Sequence, residues 1–169
     1  ALLIANRDKP EAARTAAAIR PVIARHAQVL DVDAGDQPLA AGTAFDLAVV
    51  VGGDGTLIGQ TRRLEAFGRP IVGINAGRLG FLAEFDAGDL ERHADVVFAA
   101  KPPLRARMLL SVEVVHADGR PPARGLAIND AVLTAGAPPL PSYTSRRRYV
   151  VSEKSATVVE MPPQSAQGS

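Results

Sequence analysis

The stretch from Asp46 to Thr56 constrains the fold more than any other part of the sequence, because it joins an apolar run to a glycine-rich turn that contains a single carboxylate. Its first part, Asp46–Val51, is short and rich in β-branched residues, which is typical of a parallel strand covered on both faces. Thr56 opens a segment with helical character. A strand-to-helix junction of this kind predicts an α/β protein with a mostly parallel sheet.

The turn itself has the composition of a phosphate-binding loop. Gly52, Gly53 and Gly55 lack the Cβ atoms that would keep a polyphosphate away from backbone N–H groups. The positive end of the helix that begins at Thr56 faces the same space. A carboxylate beside phosphate oxygens is unfavourable unless it accepts a proton or holds Mg²⁺, so Asp54 indicates one of these tasks. Alternatively, Asp54 only caps the helix, and the turn alone leaves both interpretations open.

A second apolar run, Arg69–Asn75, leads into another glycine-rich loop that extends to Leu82. Ligands of open α/β sheets bind at the carboxyl ends of the strands, so both loops can line one pocket. The two segments, GGDGT and GINAGRLGFL, resemble the NAD kinase family, whose members phosphorylate the 2′-hydroxyl of the adenosine ribose in NAD to make NADP. A third segment, GLAINDAVL at 125–133, resembles the family strand that carries Asn followed by an acidic residue. The family more often has Glu where this chain has Asp130.

The resemblance implies a catalytic residue and a binding set. Asp54 would be the general base that takes the proton of the ribose 2′-hydroxyl as this oxygen attacks the γ-phosphorus of ATP. Mg²⁺ or another divalent metal would arrive with ATP and keep water and phosphate as its main ligands, so no protein metal site is predicted. The predicted substrate- and nucleotide-binding residues are Gly52, Gly53, Gly55, Thr56, Asn75, Phe81, Leu82, Asn129 and Asp130.

Several of these residues also have plainer interpretations. Phe81 and Leu82 would form an apolar wall for the substrate, with Phe81 stacking on a base. Alternatively both are core residues, and for Leu82 the two interpretations have about equal weight. Asn75 would orient either the loop or the ligand. Asn129 and Asp130 would hydrogen-bond the NAD substrate, or they form a polar kink in an apolar strand.

The remaining pattern predicts a Rossmann-like α/β domain over residues 1–100 and a change to strand periodicity after residue 101. The segment 101–137 resembles the beginning of the all-β second domain of NAD kinases. Leu110, Val112 and Val114 alternate on one face of the first β segment, and Asp118–Arg120 has the composition of a hairpin turn. Pro21 is expected to break or kink the first helix. The predicted strands are Ala1–Asn6, Gln28–Val32, Asp46–Val51, Arg69–Asn75 and Arg105–His116, and the predicted helices are Glu11–His26, Thr56–Phe67 and Asp86–Ala100.

The resemblance ends near Ala137. Residues 138–169 lack the family's TGSTAY-type loop and are rich in Pro, Ser and Gln, which predicts a disordered tail outside the family pattern. We interpret the second domain as truncated or frame-shifted, because the similarity to the family is lost abruptly. The genetic code allows a frame shift, since codons for Leu140–Tyr143 shifted by one nucleotide can encode Phe-Arg-Leu-Ile, which fits the family strand expected there. Sequencing the gene past Pro139 tests this interpretation. A chain without the later motifs could also be an inactive or nucleotide-binding-only fragment.

Composition removes several other classes of function. The formal net charge of +1 does not favour a nucleic-acid surface, and the absence of cysteine excludes disulfides and thiolate metal sites. No apolar run reaches the length of a membrane span, so we expect a soluble, cytoplasmic protein, and the resemblance implies a homo-oligomer. A lipid kinase of the diacylglycerol kinase type also carries a GGDGT-type loop, but Gly73–Leu82 and Asn129-Asp130 argue against it.

Overall fold

Short β-branched runs, punctuated by glycine and proline, divide the first hundred residues into alternating strands and helices. The computed structural model of the chain describes residues 1–6, 8–34, 37–77, 80–83, 85–116, 119–128 and 148–159, with the backbone alone for 31–33 and 148–159. Two compact units are present. The first contains Ala1–Ala106 and the end of the last strand, and the second is Arg107–Ala156.

The first unit alternates strands and helices as its sequence pattern predicts. Helix α1 begins with proline at its first position, where the missing N–H needs no partner. The elements are β1 (Leu2–Ala5), α1 (Pro10–Ala24), β2 (Leu30–Asp33), β3 (Ala48–Val51), α2 (Asp54–Leu64), a 3₁₀ turn (Glu65–Phe67), β4 (Ile71–Ile74) and α3 (Ala87–Val97).

The four strands of this unit are parallel and lie in the order β2-β1-β3-β4. The chain therefore passes from β1 to one side to form β2, and then returns to the other side of β1 to form β3. This reversal of direction opens a crevice at the carboxyl ends of β1 and β3, which is the place where open α/β sheets bind ligands.

Both faces of the sheet are covered, because successive side chains of each strand point to opposite sides. Leu3, Val49 and Val72 pack with α1 and α3 on one face. Ile4 and Val50 pack with α2 on the other face. Every residue of β1, β3 and β4 is therefore buried. This explains why apolar and polar residues do not alternate along these strands.

The second unit is built from β strands. β5 (Leu104–Val115) and β6 (Ala123–Ile128) are antiparallel, in a register that runs from Leu109 opposite Ile128 to Val114 opposite Ala123. β7 (Arg148–Val159) is the neighbour of β5. Its last residues belong to the first unit, within which Val158 pairs in parallel with Ile71 of β4. The predicted class, a mostly parallel α/β sheet followed by the beginning of an all-β segment, is confirmed.

Two local features differ from the expectations. α1 continues through Pro21 to Ala24, since α1 packs against β1 and α3. β7 lies inside the tail that the sequence predicts to be disordered, in a segment whose β-branched residues favour a strand.

Candidate functional site

The crevice at the switch point is lined by the segments that follow three parallel strands. Asn6 and Lys9 follow β1, Gly52 and Gly53 follow β3, and Asn75 follows β4. The cavity has a volume of about 210 Å³. The remaining lining residues are Glu11, Ala12, Val51, Thr56, Ala76 and Gly77. The structure thus brings the two predicted glycine-rich loops together at one place.

A larger cavity of about 810 Å³ lies at the opposite, amino ends of the same strands. Phe45, Asp46, Arg69 and Phe98 contribute to its lining. Open α/β sheets bind ligands at the carboxyl ends of their strands, so the smaller crevice is the candidate site in spite of its size.

Asp54 joins the two glycine-rich loops directly. The Phe81 N–H donates to Asp54 Oδ2 at 2.9 Å, and the N–H groups of Leu82 and Ala83 each donate to Oδ1 at 3.0 Å. α2 begins at Asp54, two residues earlier than predicted, which places this carboxylate in the first turn of the helix. It does not cap its own helix, since no side chain caps α2. The helix-cap interpretation is therefore wrong for this residue.

The pKa of Asp54 reflects two opposing effects. Burial of the carboxyl raises its pKa, but the hydrogen bonds from the backbone N–H groups of Ala83, Leu82 and Phe81 lower it by more, so that the pKa lies below the ordinary aspartate range. Asp54 is therefore ionised at neutral pH.

The glycines of the first loop have different reasons for being glycine. A Cβ at Gly52 would lie 2.6 Å from both Cβ and Oγ1 of Thr56, so the chain's own packing excludes a side chain there. Cβ atoms at Gly53 and Gly55 would meet no described heavy atom within 4 Å. At these two positions packing among the described residues does not require glycine, and the open space lies beside the start of α2.

The predicted residues of the second loop divide by exposure. Asn75 is buried, and its side chain is used within the chain: Nδ2 donates to the Ala83 carbonyl at 3.3 Å, and Oδ1 accepts from the Gly77 N–H at 2.8 Å. Leu82 is half-buried beside the cluster on the α2 face of the sheet. Phe81 is 90% exposed, so it is not a core residue.

Two predicted residues, Asn129 and Asp130, lie outside the described residues. Asn6 and Lys9 also line the crevice, and the sequence interpretation did not identify them. Their position directly after the first strand was the available signal, because the carboxyl ends of parallel strands share one edge of the sheet.

Within the described ranges, no group of three His, Asp or Glu side chains is placed to hold a metal ion.

The switch-point crevice and the glycine-rich start of α2 are features shared with phosphate-binding α/β proteins. Comparison with known proteins is more specific. Residues 38–101 match the ATP-NAD kinase N-terminal domain. This match includes the GGDGT turn and the loop after β4, and the resemblance of the chain to the NAD kinase family is confirmed.

Curated relatives agree with this family. A protein named NAD kinase from Burkholderia ambifaria (strain MC40-6) is 41% identical over 96 residues, which covers 57% of this chain and 32% of the relative. Another NAD kinase, from Symbiobacterium thermophilum, is 37% identical over 147 residues, covering 79% of this chain and 51% of the relative. The chain thus spans between a third and a half of the relatives it matches. None of the described helices is long and apolar enough to cross a membrane.

Proposed function

We propose that this chain carries the nucleotide-binding and catalytic-base portion of an NAD kinase, which transfers the γ-phosphoryl group of ATP to the 2′-hydroxyl of the adenosine ribose of NAD. The observation that carries the proposal is the position of the two family loops, which meet at the switch-point crevice. The matched relatives reported above bear the name NAD kinase. Nothing in these matches favours the lipid kinase alternative.

The crevice suits a phosphate chain. Gly53 and Gly55 leave open space at the start of α2, and the first N–H groups of a helix have no partner within the helix. Lys9 and Glu11 place one charge of each sign in the lining, so the backbone N–H groups would supply most of the attraction for phosphate oxygens. The volume of about 210 Å³ is below the roughly 300–1,000 Å³ of typical small-molecule sites. The crevice would therefore hold a polyphosphate segment, and the rest of each nucleotide would lie outside it.

Asp54 is the proposed general base. Among the described residues, its Oδ2 accepts a hydrogen bond from Phe81, and a carboxylate oxygen can accept two. The 2′-hydroxyl would donate its proton to this oxygen while its own oxygen forms the new bond to the γ-phosphorus. The bond from the γ-phosphorus to the bridging oxygen breaks, and ADP leaves with its electron pair. Because the transition state of phosphoryl transfer is loose, positioning and charge neutralisation supply most of the catalysis.

The other residues of the predicted site receive proposed roles on the same basis. Gly52, Gly53, Gly55 and Thr56 would shape the phosphate-facing turn. Asn75 would hold the second loop, since both ends of its amide are hydrogen-bonded within that loop. Phe81 and Leu82 would contact the nucleotide base, and Asn129 and Asp130 would bind the NAD ribose or nicotinamide side. Mg²⁺ would enter as the complex with ATP and neutralise its phosphate charge.

Incubation of the purified chain with ATP, Mg²⁺ and NAD tests the activity, with NADP measured by mass spectrometry. We expect Asp54→Asn to reduce the rate by about 100- to 10,000-fold, which is the usual contribution of a general base. Asp46→Asn is the matched control, because this exposed aspartate precedes β3 while Asp54 follows it. Near-normal turnover by the Asp54→Asn chain would refute the assigned role.

A nucleotide-binding fragment without turnover is the second candidate, and the coverage of 32% to 51% of the relatives is the observation that favours it. Thermal-shift measurement with NAD separates the candidates. A shift without NADP formation identifies a binding fragment, and the absence of both a shift and NADP contradicts both candidates.

We further propose that the complete protein is cytoplasmic and homo-oligomeric, as the family resemblance implies. Light scattering coupled to size exclusion measures the assembly.

A further inference from the structure

The carboxylate of Asp54 has a second set of contacts that the role of general base does not use. It accepts three backbone hydrogen bonds from consecutive residues 81–83, which lie 27 to 29 positions further along the chain. Hydrogen bonds to an ionised acceptor are roughly twice as strong as those between neutral groups. We call this set of three bonds the Asp54 clasp.

Gly80 provides the space for the Asp54 clasp. A Cβ at this position would lie 2.2 Å from Asp54 Oδ1 and 2.6 Å from its Cγ. Both distances are far below van der Waals contact, so any side chain at residue 80 would displace the carboxylate. Glycine at this position therefore has a specific packing reason within the described residues.

Phe81 depends on this backbone contact for its position. Its side chain is 90% exposed and gains little from packing. The turn around it is held by the Asp54 clasp, by the Gly80 N–H bond to the Ala83 carbonyl at 3.3 Å, and by Asn75 Nδ2, which donates to the same carbonyl at 3.3 Å. Removal of the Asp54 clasp would leave the turn held, among the described residues, by two longer bonds to the Ala83 carbonyl, and would loosen the position of the ring.

We propose that Asp54 is also a positioning residue: through the space left by Gly80, its carboxylate holds the 80–83 turn and thereby presents the Phe81 ring for stacking on a nucleotide base. Gly80 is a positioning residue for the same turn, because it leaves the space that the Asp54 carboxylate occupies. The ligand part of this proposal rests on the proposed function, whereas the clasp stands on the geometry alone. One carboxylate thus links the loop that faces phosphate to the loop that faces a base.

Amide NMR of the complete ¹⁵N-labelled chain tests the clasp without any ligand. We expect the amide signals of Phe81, Leu82 and Ala83 to shift together as acid protonates Asp54, and to lose this common titration in both Asp54→Asn and Gly80→Ala. Gly80→Ala keeps the carboxylate and removes only its docking space. Gly59→Ala is the matched control, because this exposed glycine of α2 has open space around it among the described residues. Independent behaviour of the three amides in the unsubstituted chain would overturn the clasp.

Calorimetric binding of NAD tests the consequence for Phe81. We expect Phe81→Ala and Gly80→Ala each to weaken NAD binding by about tenfold or more, as loss of base stacking does, and Gly59→Ala to leave it unchanged. Gly80→Ala should weaken binding little further when Phe81 is already alanine, because both changes act through the same ring. Equal weakening in both backgrounds would overturn the positioning role. Absence of NAD binding by the unsubstituted chain contradicts the proposed function and the ligand part of this proposal, while the amide titration still decides the clasp.

Discussion

At the scale of single residues, the GGDGT turn combines positions with different physical constraints. Gly52 is constrained from inside the chain, because a side chain there would overlap Thr56. Gly53 and Gly55 have open space beside them among the described residues, so packing there does not require glycine. The Asp54 carboxylate is held by the N–H groups of the other loop. Within one motif, packing therefore requires glycine at Gly52 and leaves Gly53 and Gly55 without such a requirement.

Gly52→Ala should destabilise the fold. The added methyl group would force Thr56 to move, and overpacking of this kind costs about 1–3 kcal/mol. Urea unfolding followed by circular dichroism measures the loss. Gly55→Ala is the matched change, because a Cβ there meets no described atom and alanine is favoured inside a helix. We expect it to keep or raise the unfolding free energy while weakening nucleotide binding. Equal stability of the two variants would contradict the packing argument.

Asp54 should make the stability depend on pH. Its pKa is lower in the folded chain than the value of about 3.9 in an unfolded one. The ionised carboxyl therefore stabilises the fold above that pH, and this contribution is lost as the pH falls through the lower, folded-state pKa. Urea unfolding should show a stability difference between the unsubstituted chain and Asp54→Asn that is constant from about pH 7 to pH 5 and shrinks below about pH 4. A difference that grows on acidification would contradict this sign, and Asp46→Asn controls for loss of charge.

At the scale of secondary-structure elements, α3 shows how side chains define a boundary. Asp86 Oδ1 accepts from the Asp89 N–H at 2.8 Å, and Asp89 Oδ2 accepts from the Asp86 N–H at 2.9 Å, which forms a capping box. The Asp89 side chain is buried and also bonds Arg92. The helix starts where these reciprocal bonds satisfy its first N–H groups.

Asp86→Ala should lower the stability by about 0.5–2 kcal/mol, the usual cost of losing an N-cap residue. Glu91→Ala in the same helix is the control, because its carboxylate lies 3.8 Å from Arg25 in an exposed pair, and such pairs contribute about 0–1 kcal/mol. Thermal unfolding compares the two variants. A larger loss for Glu91→Ala than for Asp86→Ala would show that the capping box does not stabilise α3.

At the scale of the whole molecule, the parallel sheet of the first unit receives a strand from the far end of the described sequence. The end of β7 pairs with β4 at Val158 and Ile71. Without that partner, the Ile71 end of β4 would become an exposed edge with unpaired backbone groups, since Phe85 bridges β4 only at its other end, at Ile74. Exposed edges of this kind are sites of aggregation. The first unit is therefore completed by residues about ninety positions away from β4.

A chain that ends at residue 147 should unfold at a lower temperature and aggregate more than the complete chain, because it lacks β7. Differential scanning calorimetry and light scattering measure these two effects. A chain that ends at residue 159 retains β7 and serves as the control. If both truncated chains unfold at the same temperature, the pairing of β7 with β4 does not stabilise the sheet.

Local patterns in the sequence were sufficient for much of the fold. The apolar runs that became β1, β3 and β4 and the helical segments that became α1, α2 and α3 were identified from periodicity and glycine punctuation, because these signals act over a few neighbouring residues. The position of both glycine-rich loops at the carboxyl ends of adjacent strands also follows from this pattern. The motifs in these loops were sufficient to indicate the family.

Only the tertiary structure decided what the side chains in those loops contact. The sequence shows Asp54 as a lone carboxylate in a phosphate-type turn, and the folded chain brings it onto the N–H groups of Phe81, Leu82 and Ala83. In the folded chain, α1 also remains helical past Pro21, and the end of β7 pairs with β4. Contacts between residues far apart in sequence carry no local periodicity, and their free energy arises only when the elements pack together.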